Sequence, residues 1–292
     1  MCDTNIANMV ESIEMCIDRL DSAITPSSQR ILDFTNDVLE RGFGPLSQEA
    51  SIRLISSLSG PCPSVIEPVF FQRLLNFFLN NLLQADEFDL FECTADSLGT
   101  ISRNIGRESF NKALRPVMET INKVITNKDC CTLNHLRVFI ILLTDLSISQ
   151  CPYFLPFVPA SLDLARAAAQ SRIDPSDLDM CDDLADVQTA VLLLFNKLYE
   201  CEGFDNIRQF GESHILPTLV TCAASVSESE DFGMGFVCSV IDFIKFINLS
   251  KSPLFSPTGP CAGFFNVIQS VRIEVCEESA LAKCNEGLAL LR

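Results

Sequence analysis

Residues 91–125 constrain the chain more than any other stretch, because they encode two apolar stripes that neither helix can bury alone. Phe91, Ala95, Leu98, Ile101 and Ile105 recur three or four positions apart, the spacing of one face of an α-helix. Leu114, Val117, Met118, Ile121 and Ile125 form a second stripe. Between the two, Gly106 is able to take the left-handed conformation that ends a helix, and Phe110 is placed to plug the corner. Pro116 reads as a first-turn residue of the second helix, where its missing N–H leaves no bond unmade. Short amphipathic rods joined at a corner bury their stripes only between neighbours of the same kind, so a helical stack is expected.

The rest of the chain repeats the design. Helical stripes run over 4–23 (Ile6, Met9, Val10, Ile13, Cys16, Ile17, Leu20), 28–41 and 47–59, and over 64–83 with Pro68 in the first turn. Further pairs cover 132–148 with 152–170, 183–201 with 206–226, and 230–249 with 261–276, before a last helix over 277–292. Pair starts near residues 4, 46, 86, 130, 183 and 229 give intervals of 42, 40, 44, 53 and 46. Four of these five fall in the range of roughly 40–47 typical of HEAT and armadillo arrays, whereas tetratricopeptide units are about 34. A corner signature also recurs, as Phe110 with Pro116, Phe154 with Pro156, and Phe210 with Pro217. The expected fold is all-α: a HEAT-type superhelix of about six helix pairs plus a terminal helix, spanning 1–292 as a single solenoid. The long interval has a visible cause in 171–186, an acidic insert carrying Asp174, Asp177, Asp179, Asp182, Asp183 and Asp186.

Composition narrows function. Hydrophobic residues make up 48% of the chain and include 22 Phe, ample material for a large core. Each buried Phe contributes on the order of 1.5–3 kcal/mol. A formal charge of −17 argues against a nucleic-acid surface, which needs clustered Lys and Arg. It favours attraction of basic partners, an effect that salt weakens. The start lacks a basic n-region and an apolar h-region. The 14 cysteines include no CxxC pair, and Cys16, Cys93, Cys222 and Cys238 fall on apolar stripes. A reducing intracellular compartment is expected. The longest apolar runs, 138–143 and 190–195, are too short to span a bilayer.

Motifs for chemistry are sparse. No dinucleotide, phosphate-loop, nucleophile-elbow or zincin pattern occurs, so no cofactor or metal is expected and an enzyme is disfavoured. Cys130-Cys131 with His135 places thiols and an imidazole about one turn apart, without the further ligands a metal needs or the third group a thiol enzyme needs. His214, at a predicted corner, reads as structural or exposed. A calcium loop starting at Asp177 fails at Cys181, Asp182 and Gln188.

The stretch ECTADSLGTISRNIGRESFNKALRPVMETI resembles a repeat of the importin-beta (karyopherin-beta) family, nearest to its importin-five-like branch. Gly106, Phe110, Val117 and Met118 carry the resemblance, and YFLPFVPASLDLA followed by an acidic loop extends it over roughly 85–225. The resemblance implies a nuclear transport receptor, shuttling between cytoplasm and nucleus. Such a receptor wraps basic cargo segments on an acidic concave face formed by its second helices. It also implies contacts with the GTPase Ran and with Phe-Gly nucleoporins. The chain is a fraction of the usual family length and resembles its central HEAT repeats, so repeats of the N-terminal kind that carry the main Ran surface are not expected within these residues.

Candidate partner-binding residues follow. Asn76 and Asn80 lie one turn apart on a second helix, beside Asn81, and amides both donate to and accept from an extended peptide backbone. Glu119, Asn122 and Asp163 lie on polar second-helix faces, and the acidic insert is a candidate contact for cargo or Ran. Two other readings stand beside transport: a HEAT scaffold that organises a complex through its inter-repeat turns, and a thiol enzyme, which requires a cysteine of low pKa.

Overall fold

The computed structural model describes residues 3–84, 87–127, 131–174, 176–202, 207, 210–226, 238, 240–242, 245, 258–274 and 278–291. Among them regular structure is helical throughout, with no strand, and the architecture is the HEAT-type stack of helix pairs. The chain divides into two compact units, Met1–Phe154 and Leu155–Arg292.

The first unit contains α1 (Asp3–Leu20), α2 (Ser28–Arg41), α3 (Pro45–Ser59), α4 (Pro63–Val69), α5 (Leu75–Leu83), α6 (Phe88–Asn104), α7 (Arg107–Thr126) and α8 (Leu133–Ser149). A 3-10 segment, Asp21–Ser27, joins α1 to α2, and a π-helical turn, Phe70–Leu74, joins α4 to α5. α3 packs between α1 and α6, and α6 packs on α8, which makes a layer of first helices. α4 packs on α2 and α5 on α7, which makes a layer of second helices. The period read from the sequence reappears as bonds. Asp3 accepts from the Ser47 N–H at 3.2 Å, Ser57 donates to Glu14 at 3.0 Å, and Asn104 donates to Ser59 at 2.8 Å. Arg103 pairs with Asp145 at 2.6 Å, and the Ser102 and Ser149 hydroxyls meet at 2.7 Å. Each bond joins residues 42 to 47 positions apart.

The second-helix layer is joined by aromatic rings. Phe70 stacks on Phe110 of α7 at 5.8 Å and meets Phe78 edge-on at 6.1 Å, and all three are fully buried. In the first-helix layer, Phe91 packs edge-on against Phe139 at 5.1 Å and lies tilted against His135 at 4.8 Å.

The second unit contains α9 (Val158–Ala169), α10 (Leu178–Glu202), a π turn (Gly211–Ile215), α11 (Leu216–Val226), α12 (Ala262–Glu274) and α13 (Glu278–Leu291). α9 packs on α10 and α11, α11 on α12, and α12 on α13. Val187, Val191, Phe195, Leu219, Cys222, Phe264 and Ile268 are in its core. Lys283 bonds Asp242, and Lys245 pairs with Glu286 at 2.5 Å, which ties the described residues of the expected 230–249 helix to α13. Most of that expected helix lies outside the described residues, as do 203–206 at the expected start of the 206–226 helix.

Several local expectations change. Pro116 is the tenth residue of α7, because the helix begins at Arg107 directly after Gly106. An interior Pro costs about 3 kcal/mol through its lost hydrogen bond and ring clash. Burial of Ala113, Leu114, Val117 and Ile121 on the same helix offsets it. Pro68 is likewise internal, since Pro63 takes the first turn of α4, and the π turn follows two residues later. Gly106 does take a positive φ, +87°, but its ψ of 156° makes it the extended residue that enters α7, not a left-handed cap. Phe110 is in the first turn of α7 and not before it. The helix expected over 4–23 ends at Leu20, and Met9 (42%) and Leu20 (49%) are exposed, as is Cys16. Only Ile6, Val10 and Ile17 of that stripe are buried.

Candidate partner-binding groove

Charge separates by layer in the first unit. The first helices α1, α3, α6 and α8 carry nine carboxylates against four arginines. The second helices, α2, α4, α5 and α7 with the π turn, carry six carboxylates against seven Lys and Arg. The acidic face that the resemblance implies for second helices is therefore on the first helices here. The reason is local: α1 turns Asp3, Glu11 and Glu14 toward the Ser47 N–H, Arg53 and Ser57 of α3, α6 turns Glu92 toward Arg137 of α8, and Asp145 of α8 turns back to Arg103 of α6.

Between α1, α3 and α6, the carboxylates Glu14, Glu49, Asp89, Glu92 and Asp96 line a groove of about 370 Å³. Arg53 of α3 spans it, bonding Glu49 at 2.9 Å and Glu11 at 3.3 Å. Arg137 bonds Glu92 at 2.8 Å. Asp145 comes close to α6 because residue 99 is Gly: a Cβ there would sit 2.4 Å from the Asp145 carboxylate. Asp96 forms no ion pair among the described residues. Partial burial raises its carboxyl above the usual range, and the neighbouring Glu92 and Asp145 charges add to this. Burial likewise raises Glu14, against the Ser57 hydroxyl that holds it down. Cys93 lines the same groove, and burial with the Glu49 charge pushes its thiol up to about 12. Cys222 is pushed up to about 12 by full burial. Both thiols are held protonated, the reverse of what a thiol nucleophile requires.

The residues expected from sequence lie elsewhere. Asn76 and Asn80 are exposed on α5, and Glu119 and Asn122 are exposed on α7, so these four share two packed second helices. Asn81 is buried, and its amide nitrogen has no bond partner among the described residues. Asp163, on α9 of the second unit, pairs with His214 at 3.3 Å and Arg166 at 3.5 Å. His214 belongs to the π turn, with Ser213 at 2.6 Å on its other ring nitrogen. His135 is buried, where it completes the capping box of α8 with Thr132; Cys130 lies outside the described residues.

The acidic insert is mostly helix. Only 171–177 precede α10, so Asp179, Asp182, Asp183 and Asp186 are on its first turns. Asp177 accepts the Met180 N–H at 3.1 Å as the N-cap, and Asp174 accepts the Ser176 N–H and hydroxyl at 3.0 and 2.7 Å. Those two bonds lower the Asp174 carboxyl. Carboxylates at a helix N-terminus complement its dipole, so the run has a structural cause.

The groove residues Glu14, Glu49, Glu92 and Asp96 escaped the reading of the sequence, although a signal was present. Glu49 and Glu92 are 43 positions apart, as are Arg53 and Asp96. Among the described residues, no helix is long and apolar enough to cross a membrane, and no group of three or more His, Cys, Asp or Glu is placed to hold a metal ion.

No protein-family profile matches the sequence, and no curated protein matches it. Solved structures do match in fold. Over 99% of this chain, importin beta crystallised in ammonium sulfate superposes with a TM-score of 0.78 at 12% identity. Importin beta crystallised in polyethylene glycol superposes over the same share with a TM-score of 0.71 at 14% identity. The chain spans about a third of the length of these importin beta chains, 33% and 35%.

Proposed function

We propose that the chain is a protein-binding HEAT solenoid of the transport-receptor kind, which receives basic segments of partner proteins on the carboxylate-rich surface of its first helices. The observation that carries this is the separation of charge between the two layers of the first unit, nine carboxylates against four arginines on one and near balance on the other. The fold likeness to importin beta and the sequence resemblance over 85–225 support the transport role, with Ran and Phe-Gly nucleoporins as further partners in cytoplasm and nucleus. A basic side chain in the groove finds carboxylates on the first helices of three successive repeats, which a flat exposed ion pair does not offer.

Binding of a fluorescein-labelled nona-arginine peptide, at low and at high salt, tests the reading. Salt-sensitive binding that weakens in Glu92→Gln and survives in Asn76→Ala/Asn80→Ala supports it. Loss in the asparagine variant alone moves the site to the second helices. Absence of binding at low salt removes the basic-segment role and leaves the scaffold reading.

A further inference from the structure

The first helices meet one another along a fixed row. Counted from each helix start, the row holds the third, seventh, tenth and fourteenth residues, three or four apart on one face. In α3 these are Ser47, Ser51, Leu54 and Leu58, all buried, and Ser47 donates its N–H to Asp3 of the preceding first helix. The same four places are buried in α6, from Leu90 to Ile101, and in α8, from His135 to Leu146. In α8 the rings of His135 and Phe139 lie against Phe91 of α6. The row is thus the side on which a first helix receives the one before it.

On α1 the row is Asn5, Met9, Ser12 and Cys16, with Leu20 one turn further, and every member is exposed. Asp3, Glu11 and Glu14 of α1 bond α3 instead, and Asp18 lies beside Glu14, so the row carries no carboxylate in a chain of net charge −17. Arg19 flanks it, with no ion pair among the described residues. As the seventeenth residue of α1, Arg19 holds the place from which Asn104, the seventeenth of α6, donates to Ser59 of α3 at 2.8 Å.

We propose that this row docks a helix supplied by a partner protein: an amphipathic helix whose apolar stripe covers Met9, Cys16 and Leu20 and whose flank carries carboxylates. Continuity of the first-helix layer identifies the occupant. What lies on the row of α3 is α1, which brings Asp3, Glu11 and Glu14 with it, and what lies on the row of α8 is α6, which brings Glu92 to Arg137. The charge of the face selects the same chemistry, since its one flanking charge is a guanidinium. Apolar residues three and four apart are the anchor pattern of helix recognition, and the flexible thioether of Met9 adapts to what covers it. This face is separate from the carboxylate-lined groove, so the inference goes beyond the basic-segment reading and stands without it.

Anisotropy titrations of the full chain with a fluorescein-labelled helical peptide of about 20 residues test it. Leucine recurs at every third or fourth position of the peptide and glutamate and glutamine fill the rest; a control peptide has lysine for glutamate. The acidic peptide is expected to bind wild type and to bind Met9→Gln/Leu20→Gln about tenfold more weakly, while both proteins melt alike because the two side chains are exposed. Arg19→Gln is expected to weaken the acidic peptide about threefold and to spare the lysine peptide. No binding of the acidic peptide to wild type, or equal binding to the double variant, overturns the docking face. An equal loss for the lysine peptide in the double variant overturns the acid-flanked occupant. Sedimentation of the chain alone should show a monomer; a dimer that the double variant dissociates assigns the row to a second copy and overturns the partner helix.

Discussion

The two layers of the first unit are made of the same repeats and differ in the balance of their contacts: polar bonds outnumber the Phe91–Phe139 ring contact between the first helices, and buried rings weigh more between the second. The first helices meet through polar bonds between successive repeats, such as Glu92 to Arg137, Arg103 to Asp145 and Ser102 to Ser149. The second helices meet through Phe70 stacked on Phe110 and through the Ser109 hydroxyl, which donates to Glu67 at 2.6 Å, and their ion pair Arg73 to Glu40 at 3.4 Å is largely exposed. Exposed pairs contribute roughly 0–1 kcal/mol, whereas each buried Phe contributes about 1.5–3 kcal/mol. The comparison teaches a division of labour. The buried rings, Phe70 and Phe110 above all, supply cohesion indifferent to salt and pH, and the charged bonds concentrated on the first helices supply register and an electric field.

The sharpest way to break the aromatic side is Phe110→Ala, which empties a fully buried site stacked on Phe70. A loss of about 3–5 kcal/mol is expected in urea unfolding, unchanged by added salt. Next comes Ser102→Val on the polar side. It leaves the Ser149 hydroxyl without its partner in a buried setting, for an expected loss of about 1–3 kcal/mol in the same assay. Arg137→Met is expected to cost less than about 1 kcal/mol, because its pair with Glu92 is partly solvated, and the difference from wild type should shrink as salt rises.

Smallest in size and opposite in sign is Asp96→Asn. The folded-state carboxyl is raised, so the folded chain holds its proton where the unfolded chain has lost it. Asp96 therefore weakens the fold as pH rises through the window between the ordinary and the raised value, and stays unfavourable above it. The variant is expected to melt slightly higher than wild type at neutral pH. Its advantage should vanish on acidification below the ordinary carboxylate range.

Much of this organisation was legible in the sequence. Stripes such as Phe91, Ala95, Leu98 and Ile101 gave helix identity, and all four are buried. The forty-odd spacing became the separation of the bonded residues in the first-helix layer. What the sequence hid has physical causes. Pro68 and Pro116 read as helix starts because an interior Pro is unfavourable in isolation, and only tertiary burial reverses that. The Asp-rich run at 171–186 read as a loop because Asp is a weak helix former, although Asp177 followed by Met180 at N3 is an N-cap arrangement. The groove was hidden most deeply. Glu14, Glu49, Glu92 and Asp96 sit on three separate helices, and which side of a helix faces outward is decided by the neighbouring repeat, not by the stripe itself.

The bonds between residues forty-odd apart restrict where such a chain is able to change length. Removing one residue inside α6 would turn everything beyond it by about 100° about the helix axis. Glu92 would then lose its alignment with Arg137, or Arg103 with Asp145, depending on the side of the cut. Insertions and deletions are thus confined to the links between helices, such as the stretch before α10 where the longest interval accumulates. Lengthening there leaves every rung on either side in step.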